Sequence, residues 1–548
     1  MLKKISLFGL VGILLIGLTS ANQKEDQLLS TNSYEYKVAK QVFDQLISAK
    51  GDKRLQVPEF IMSKRQRYVA WMNGKRSQIG LEKKAYDICV SYGADSLNAI
   101  AALLGHEIIH YYEKHNWGSE FASAYTDVGI AADIKNNTKT KEIKAVNETE
   151  ADYLGGFLAH SAGYKTFGIM PNFLGDVYKA YGLSNEIPGY PSLDDRTKLA
   201  IEAEQHLEDL VGIYQLANHM VVLNQPEDAD VYYGFVLKEF QSREIYNNAG
   251  VNAILEGLSV LPDDHEGRKY EYPLQLDGET RMNAKTRGNN IEAFGDAEKA
   301  VFQAAIKKAI GYFEQAKTLD KNYGTAYLNL ACAYDIMGEY EDAIYWSRKA
   351  KKTGKKNGNN KVIGDALIIN AIASIHNDEM EDAKEIFAKV EQRYNSSADL
   401  AKINLMIAKT GERPMAAPVK EKVSLKAEKI DGFNLSAFLD ELEVDKQVEV
   451  NNNYTFASKK LENSTVLLSI YNGGDRAIAI QITNPRFSGL TASGFGVGTT
   501  KEEFLLKYGP PSYSKQTRKG EYLVYEKRKA IFQLSNDKLS SWSIYRTF

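Results

Sequence analysis

The sequence has no disulfide framework, because its 548 residues include only two cysteines, Cys89 and Cys332. The two lie in different predicted domains, each among apolar neighbours, so we expect two buried free thiols rather than a disulfide bond. The fold must therefore depend on ordinary hydrophobic cores. A chain of this length is too long for one core, and we expect about three domains.

An excess of charge of either sign is also absent. The chain carries 68 lysines and arginines against 71 aspartates and glutamates, which gives a formal net charge of −3. Proteins that bind nucleic acid usually carry a clear basic surplus, so this balance predicts no nucleic-acid partner.

Long apolar runs are missing except at the start of the chain. Residues 1–4 include two lysines, residues 5–18 are apolar, and residues 19–21 are small. This pattern is typical of a secretory signal peptide, residues 1–21, with cleavage expected after Ala21. The run is shorter than the roughly 20 residues of a spanning helix, so we expect an exported, periplasmic protein that is soluble or peripherally membrane-associated. An uncleaved N-terminal anchor is the alternative.

The strongest motif is the pentapeptide His106-Glu107-Ile108-Ile109-His110. The apolar density of residues 96–112 predicts a buried helix around it. Positions i and i+4 lie on the same face of a helix, so His106 and His110 can present two imidazole nitrogens to one Zn²⁺ ion.

The third zinc ligand is expected on a second helix, predicted for residues 148–160. Glu148 is favoured over Glu150, because only Glu148 is followed one turn later by an acid, Asp152. That second acid can bind the outer nitrogen of a ligating histidine and fix its tautomer. Two further histidines near these motifs lack ligand spacing and are weaker candidates: His115 and His160.

Glu107 is the predicted catalytic residue. Zinc held by three protein ligands keeps a position for water and lowers the pKa of that water to about 7. Glu107 lies between the two histidines and is expected to take the proton and pass it to the leaving amine. The predicted reaction is hydrolysis of a peptide bond, with one Zn²⁺ per chain.

These residues resemble the gluzincin zinc metallopeptidases of the CAAX prenyl protease, HtpX and BepA-like family. The family pattern joins His-Glu-x-x-His to Glu-x-x-Ala-Asp, which is present here as Glu148, Ala151 and Asp152. The resemblance implies a mainly helical zincin-type domain. It also implies that substrate binds in extended form along an edge strand, for which residues 68–72 are the first candidate.

A third family element, His-Pro followed by arginine, is altered here to Tyr190-Pro191 with Arg196. The resemblance therefore implies no regulatory histidine at this position. Tyr190 is a candidate to donate a hydrogen bond to the developing oxyanion, or it packs at a helix entrance. Arg196 is a candidate to pair with a site carboxylate, or it caps the domain core.

The fold class is predicted as α+β. Residues 327–350 reproduce the small and aromatic positions of a tetratricopeptide repeat, and Ala309 and Ala316 lie one period upstream of Ala343 and Ala350. We expect the predicted units to be a signal peptide (1–21), a metallopeptidase domain (22–200), a helical solenoid of such repeats (201–412), a linker (413–424) and a small C-terminal α+β domain (425–548).

Several local features complete this organisation. Asn73-Gly74 between two extended runs predicts a hairpin with a tight turn over residues 68–81. Residues 263–289 do not fit the repeat period and are interpreted as an insertion, and residues 355–360 as a loop that lengthens one repeat. Residues 498–511 resemble a BamE-like envelope domain pattern.

The sequence thus predicts an exported zinc endopeptidase that acts on unfolded or misassembled envelope proteins. The repeat groove would recruit protein substrates or an envelope assembly machinery, unless the repeats merely shield the cleft. The alternative is a chaperone or assembly adaptor whose metal site is regulatory and rarely cleaves.

Overall fold

The computed structural model describes residues 28–115, 141–185, 192–262, 265–276, 294–412, 427–430, 435, 443–484, 487–517 and 520–548. The chain folds as two compact units, Met1–Val211 and Gly212–Phe548. The described part contains both helices and two separate sheets, which confirms the predicted mixture of α and β structure.

Helices make up most of the first unit. The third helix, α3 (Ser96–Tyr112), has the predicted bounds and is buried from residue 99 to its end. Its own small and apolar residues occur on all of its sides. The predicted domain boundary at residues 200/201 falls inside one continuous helix, α6 (Leu193–Val222). The helices are α1 (Tyr34–Lys50), α2 (Lys83–Val90), α3 (Ser96–Tyr112), α4 (Lys141–Ser161), α5 (Ile169–Tyr181) and α6 (Leu193–Val222), which continues into the second unit.

The predicted hairpin is present, but its tight turn is not. β2 (Ala70–Asn73) pairs antiparallel with β3 (Gln78–Glu82). A two-residue turn at Asn73-Gly74 would need positive φ at both residues. In this part of the described chain, positive φ is found instead at Val69 (63°) and Ser77 (47°). The strands are therefore joined by the longer connection 74–77, which Ser77 closes by donating its N–H to Gly74 O.

A third strand, β1 (Glu59–Ser63), was not predicted. It pairs parallel with β3, so the sheet order is β1-β3-β2. The outer edge of β1 contacts the start of the described chain, where Leu29 N donates to Met62 O at 2.9 Å. β2 forms the opposite edge of this described sheet.

The second unit begins with a succession of helices. The predicted loop at residues 355–360 is wrong, because one helix (Tyr340–Asn357) continues to residue 357 and the next begins at Asn360. The first of these helices is terminated by Gly358, whose φ is 68°. The helices are α7 (Pro226–Glu239), α8 (Arg243–Ser259), α9 (Asp296–Leu319), α10 (Gly324–Met337), α11 (Tyr340–Asn357), α12 (Asn360–His376), α13 (Met380–Arg393) and α14 (Asn395–Thr410).

An eight-stranded antiparallel sheet and one helix, α15 (Lys501–Tyr508), complete the second unit. Phe504 and Tyr508 of α15 pack with Phe532 and Trp542 in the hydrophobic core between this helix and the sheet. The sheet order is β4-β5-β6-β7-β11-β10-β9-β8. The strands are β4 (Lys446–Asn451), β5 (Tyr454–Lys460), β6 (Ser464–Tyr471), β7 (Ala477–Thr483), β8 (Tyr513–Thr517), β9 (Gly520–Tyr525), β10 (Ala530–Ser535) and β11 (Lys538–Thr547).

The sheet and the helices of the second unit are joined by buried polar contacts. Asp228 on α7 accepts a hydrogen bond from Tyr454 at 2.8 Å and pairs with Arg476. The predicted linker, 413–424, and the predicted signal peptide, 1–21, lie outside the described residues.

Two predictions about the whole chain can be compared with the structure. Cys89 and Cys332 are both buried and free, as expected. In the portion of the chain that the structure describes, no helix has the length and apolar character needed to cross a membrane.

Candidate metal centre

Helices α3 and α4 cross at two glycines. A Cβ atom at Gly105 would lie 2.6 Å from the carbonyl oxygen of Gly155, and a Cβ at Gly155 would lie 2.7 Å from the backbone nitrogen of His106. Cβ atoms do not approach other atoms so closely, so this backbone contact requires glycine at both positions. The crossing brings the histidine motif of α3 against the acidic residues of α4.

Three ligand-type side chains converge between the two helices. His106 Nε2 and His110 Nε2 lie 2.9 Å apart. The Glu148 carboxylate lies 3.5 Å from the first nitrogen and 3.6 Å from the second. Ligand atoms at 2.0–2.1 Å from a tetrahedral zinc ion lie roughly 3.3 Å from one another. The two carboxylate distances are close to this value and the two imidazole nitrogens are nearer to each other, so the group could hold a metal ion.

The orientation of the imidazole rings also fits a cation. Asp152 Oδ1 lies 2.6 Å from His106 Nδ1. A neutral His106 therefore donates its Nδ1 proton to Asp152 and turns the lone pair of Nε2 toward His110. Two nitrogen lone pairs and a carboxylate that face one another in a buried site repel unless a proton or a cation lies between them.

The pKa values of the two histidines are shifted in opposite directions. Burial lowers the pKa of His106, but the charge and hydrogen bond of Asp152, together with Glu148, raise it to about 10. Burial and the charge on His106 hold the pKa of His110 well below its usual value. A divalent cation would replace the second ring proton of a charged His106, so metal binding should release a proton.

Glu107 lies beside the ligands and is 1% exposed. Within the described structure its Oε1 has no hydrogen-bond partner. Burial raises the pKa of Glu107 to about 8; the charge of His106 opposes this rise, and those of Glu148 and Asp152 add to it. A nearby divalent cation would lower this pKa again, so the carboxyl is suited to taking up and returning a proton near neutral pH.

Arg196, at the start of α6, is buried against the acidic side of the site. Its Nη1 lies 3.1 Å from Glu148 Oε2, and its Nη2 lies 3.7 Å from Asp152 Oδ2. Burial by itself would raise the pKa of Asp152, but the charges of Arg196 and His106 hold it below its usual value. Arg196 thus favours the ionised form of Asp152, which is the form that can orient His106.

His115 has a position that sequence analysis did not predict. Its Nδ1 lies 2.7 Å from Nδ1 of His110, and its Nε2 lies 3.4 Å from the Glu150 carboxylate. It therefore contacts the outer nitrogen of the second histidine, much as Asp152 contacts that of the first. Glu150, the alternative ligand, contacts His115 and is not part of the ligand group.

The remaining predicted residues lie apart from this group. Tyr190 and Pro191 fall outside the described residues. His160 lies in the last turn of α4 and is not one of the three clustered ligands. The structure brings together six of the residues singled out by sequence: His106, Glu107, His110, Glu148, Asp152 and Arg196.

No protein-family model matches the chain, and no curated protein sequence matches it significantly.

Proposed function

We propose that this protein is a zinc-dependent endopeptidase of the gluzincin type. The observation that carries the proposal is the buried group of His106, His110 and Glu148, with Glu107 beside it, whose Oε1 has no hydrogen-bond partner among the described residues. Two imidazoles and a carboxylate are a donor set typical of catalytic zinc in peptidases. A structural zinc site would more often be closed by a fourth protein ligand.

The chain's own residues would supply the acid–base chemistry. Zn²⁺ held by His106, His110 and Glu148 would act as a Lewis acid on the scissile carbonyl and on the attacking water. Glu107 would take a proton from that water and deliver it to the leaving nitrogen. Asp152 would keep His106 in the tautomer that presents Nε2, and Arg196 would balance the negative charge of Glu148 and Asp152.

Substrate would bind as an extended strand along β2. β2 forms an edge of the described sheet, whereas the outer edge of β1 already pairs with Leu28 and Leu29. An extended peptide added to a sheet edge is held mainly by backbone hydrogen bonds, which suits an enzyme that cleaves unfolded chains of many sequences.

The wider setting is proposed from sequence. The N-terminal pattern of residues 1–21 supports export to the periplasm, and the repeat-like spacing in the second unit supports a tetratricopeptide-type solenoid that recruits unfolded proteins or an envelope assembly machinery. Ala309, Ala316, Ala343 and Ala350, the small positions of that spacing, are all fully buried, in agreement with it.

Zinc content and proteolysis together test the proposal. Purified wild type, Glu107→Gln and a control, Glu113→Gln, would be analysed for metal and incubated with an unfolded protein such as casein. Glu113 is exposed just beyond α3 and pairs with Lys50. We expect about one zinc per chain in all three proteins, and cleavage at least roughly 10²-fold slower in Glu107→Gln alone.

Each other outcome has a defined meaning. Protein that holds no transition metal contradicts the metal assignment. Equal cleavage by wild type and Glu107→Gln contradicts the catalytic role of Glu107. Zinc binding without cleavage in any of the proteins favours the alternative, an assembly adaptor with a regulatory metal site.

A further inference from the structure

Residues 270–276, with the sequence Tyr-Glu-Tyr-Pro-Leu-Gln-Leu, lie against one face of the helices of the second unit. We call this segment the strap. Its two tyrosines are each 2% exposed, and Leu274 and Gln275 are fully buried. Its contacts come from α8, α10, α12 and α14, which is every second helix of the succession. We call the face that these four helices form the groove.

Two asparagines of the groove bind the main chain of the strap. Asn404 on α14 donates to Glu271 O and accepts from Glu271 N, both at 2.9 Å. Asn329 on α10 likewise donates to Gln275 O at 2.7 Å and accepts from Gln275 N at 3.0 Å. Each side-chain amide thus takes the place of a peptide group in a neighbouring β-strand.

Main-chain recognition of this kind depends on an extended backbone and not on side chains. Asn247 on α8 adds a third bond, donating to Gln275 O at 2.8 Å. Because Asn247, Asn329 and Asn404 project from three different helices, they can hold only a segment that crosses the helices in extended form. The groove therefore has the chemistry of a peptide-binding site.

Side chains of the strap add specificity at two acidic residues of the groove. Tyr272 donates its hydroxyl to Asp335 at 2.6 Å, and the Gln275 side chain donates to Asp365 at 2.7 Å. The Tyr270 ring packs edge-on against His376 at 5.4 Å between ring centroids. In a bound segment, these contacts favour an aromatic residue, a tyrosine two positions later, and a side chain that donates a hydrogen bond three positions after that tyrosine.

The groove is polar where it meets the strap, whereas most other buried positions of α10 and α12 are apolar. A buried main chain needs hydrogen-bond partners, and Asn247, Asn329 and Asn404 provide them to the strap. An extended segment that replaced the strap would need the same partners.

We infer that the groove is a binding site for an extended polypeptide segment, and that the strap occupies it as an intramolecular ligand. A partner protein with a segment of the type aromatic-x-Tyr-Pro-Leu-Gln competes with the strap for the same asparagines. Because the strap belongs to the same chain, its effective concentration is on the order of millimolar, and it excludes weak ligands. This inference does not depend on the proposed peptidase activity.

Replacing the strap tests the inference. In one variant of the full chain, residues 270–276 become a Gly-Ser segment of equal length, and folding is checked by circular dichroism. The probe is a fluorescently labelled Tyr-Glu-Tyr-Pro-Leu-Gln-Leu peptide, followed by fluorescence anisotropy. We expect saturable binding to this variant, at least tenfold tighter than to wild type, and much weaker binding of a scrambled peptide.

Further substitutions in the strap-replaced chain locate the site. Asn329→Ala with Asn404→Ala should weaken peptide binding tenfold or more. Asn370→Ala is the matched control, because Asn370 lies on α12 but donates to Ser347, and it should leave the affinity unchanged. The inference is overturned if the folded variant does not bind the peptide, or binds the scrambled peptide equally well.

A second measurement applies if the strap-replaced chain does not fold. The double variant Tyr272→Phe, Gln275→Ala keeps the strap backbone but removes its two bonds to Asp335 and Asp365. We expect a large excess of the unlabelled peptide to accelerate hydrogen exchange at the backbone amides of residues 271 and 275. Unchanged exchange of both amides at the highest peptide concentration contradicts the inference.

Discussion

At the scale of single residues, Asp152 determines which nitrogen of His106 faces the ligand group. It lies 2.6 Å from Nδ1 of His106 and contributes no atom to the ligand group itself. We therefore propose that it orients a metal ligand, and its removal should weaken metal binding without abolishing it.

Asp152→Asn tests this role. An amide can still contact Nδ1, but it lacks the charge that favours an electron-rich imidazole, so we expect zinc affinity to fall by roughly 10- to 100-fold. Competition with a chromophoric chelator measures the affinity directly. The control is Asp176→Asn, since Asp176 is an exposed acid on α5 that accepts a hydrogen bond from Tyr92. Equal zinc affinity of Asp152→Asn and wild type would argue against an orienting role.

The residues of the site differ in how well the sequence predicts them. His106 and His110 follow from helical spacing alone, and Glu148 and Asp152 from the same rule applied to a second helix. The contact of His115 with His110 depends on how the chain leaves α3, which no periodicity describes. The pairing of Arg196 with Glu148 brings together two helices that are distant in sequence. The sequence therefore leaves both alternatives for Arg196 open, a pair with a site carboxylate or a cap on the domain core.

At the scale of elements, the crossing of α3 and α4 is what assembles the candidate metal centre. Gly155 carries no side chain into that contact, and the atoms it faces are backbone atoms of Gly105 and His106, which cannot rotate away. A methyl group at this position must push the two helices apart.

Gly155→Ala is therefore expected to separate the ligands. Alanine favours an isolated helix by about 1 kcal/mol over glycine, so a loss of stability here would come from the helix crossing and not from helix propensity. We expect a lower melting temperature and substoichiometric zinc. Gly175→Ala on α5 is the control, because a Cβ there meets no atom within 4 Å, and it should be neutral or stabilising. Full zinc occupancy in Gly155→Ala would show that the crossing does not set the ligand geometry.

The elements themselves were predicted unevenly, for physical reasons. α3 could be delimited because its apolar density is high over its whole length. β1 was missed because its apolar core, Phe60-Ile61-Met62, is short, and because it pairs in parallel with a strand that is not its neighbour in sequence. The hairpin was predicted from Asn73-Gly74, yet its positive φ angle lies at Ser77, where nothing in the sequence indicates it.

At the scale of the whole molecule, contacts between segments distant in sequence decide the arrangement of the second unit. The sequence of the strap does not fit the repeat period, and it therefore reads as an insertion. Its contacts with four helices become visible only in the folded structure. Lys515 on β8 makes a comparable long-range contact: its ammonium group donates to Val221 O and, at 2.7 Å, to Asn224, at the end of α6.

Lys515 makes the stability of this contact dependent on pH. In the unfolded chain its pKa is the ordinary 10.5, whereas burial lowers its pKa in the folded protein to about 7. Between these values the unfolded state binds more protons than the folded state, so the free energy of unfolding rises with pH. Below pH 7 both states hold the proton, and the cost of burying the charge is fully present.

Replacing Lys515 by methionine should remove this dependence. Compared with Lys515→Met, wild type should gain stability between pH 7 and 9.5, by at most roughly 1.4 kcal/mol per pH unit. Calorimetric melting of both proteins across this range measures the difference, with Lys507→Met, at an exposed position on α15, as the control. A stability difference that is the same at pH 7 and pH 9.5 would mean that Lys515 stays charged in the folded protein, because the carbonyl oxygens at the helix end then outweigh the loss of hydration.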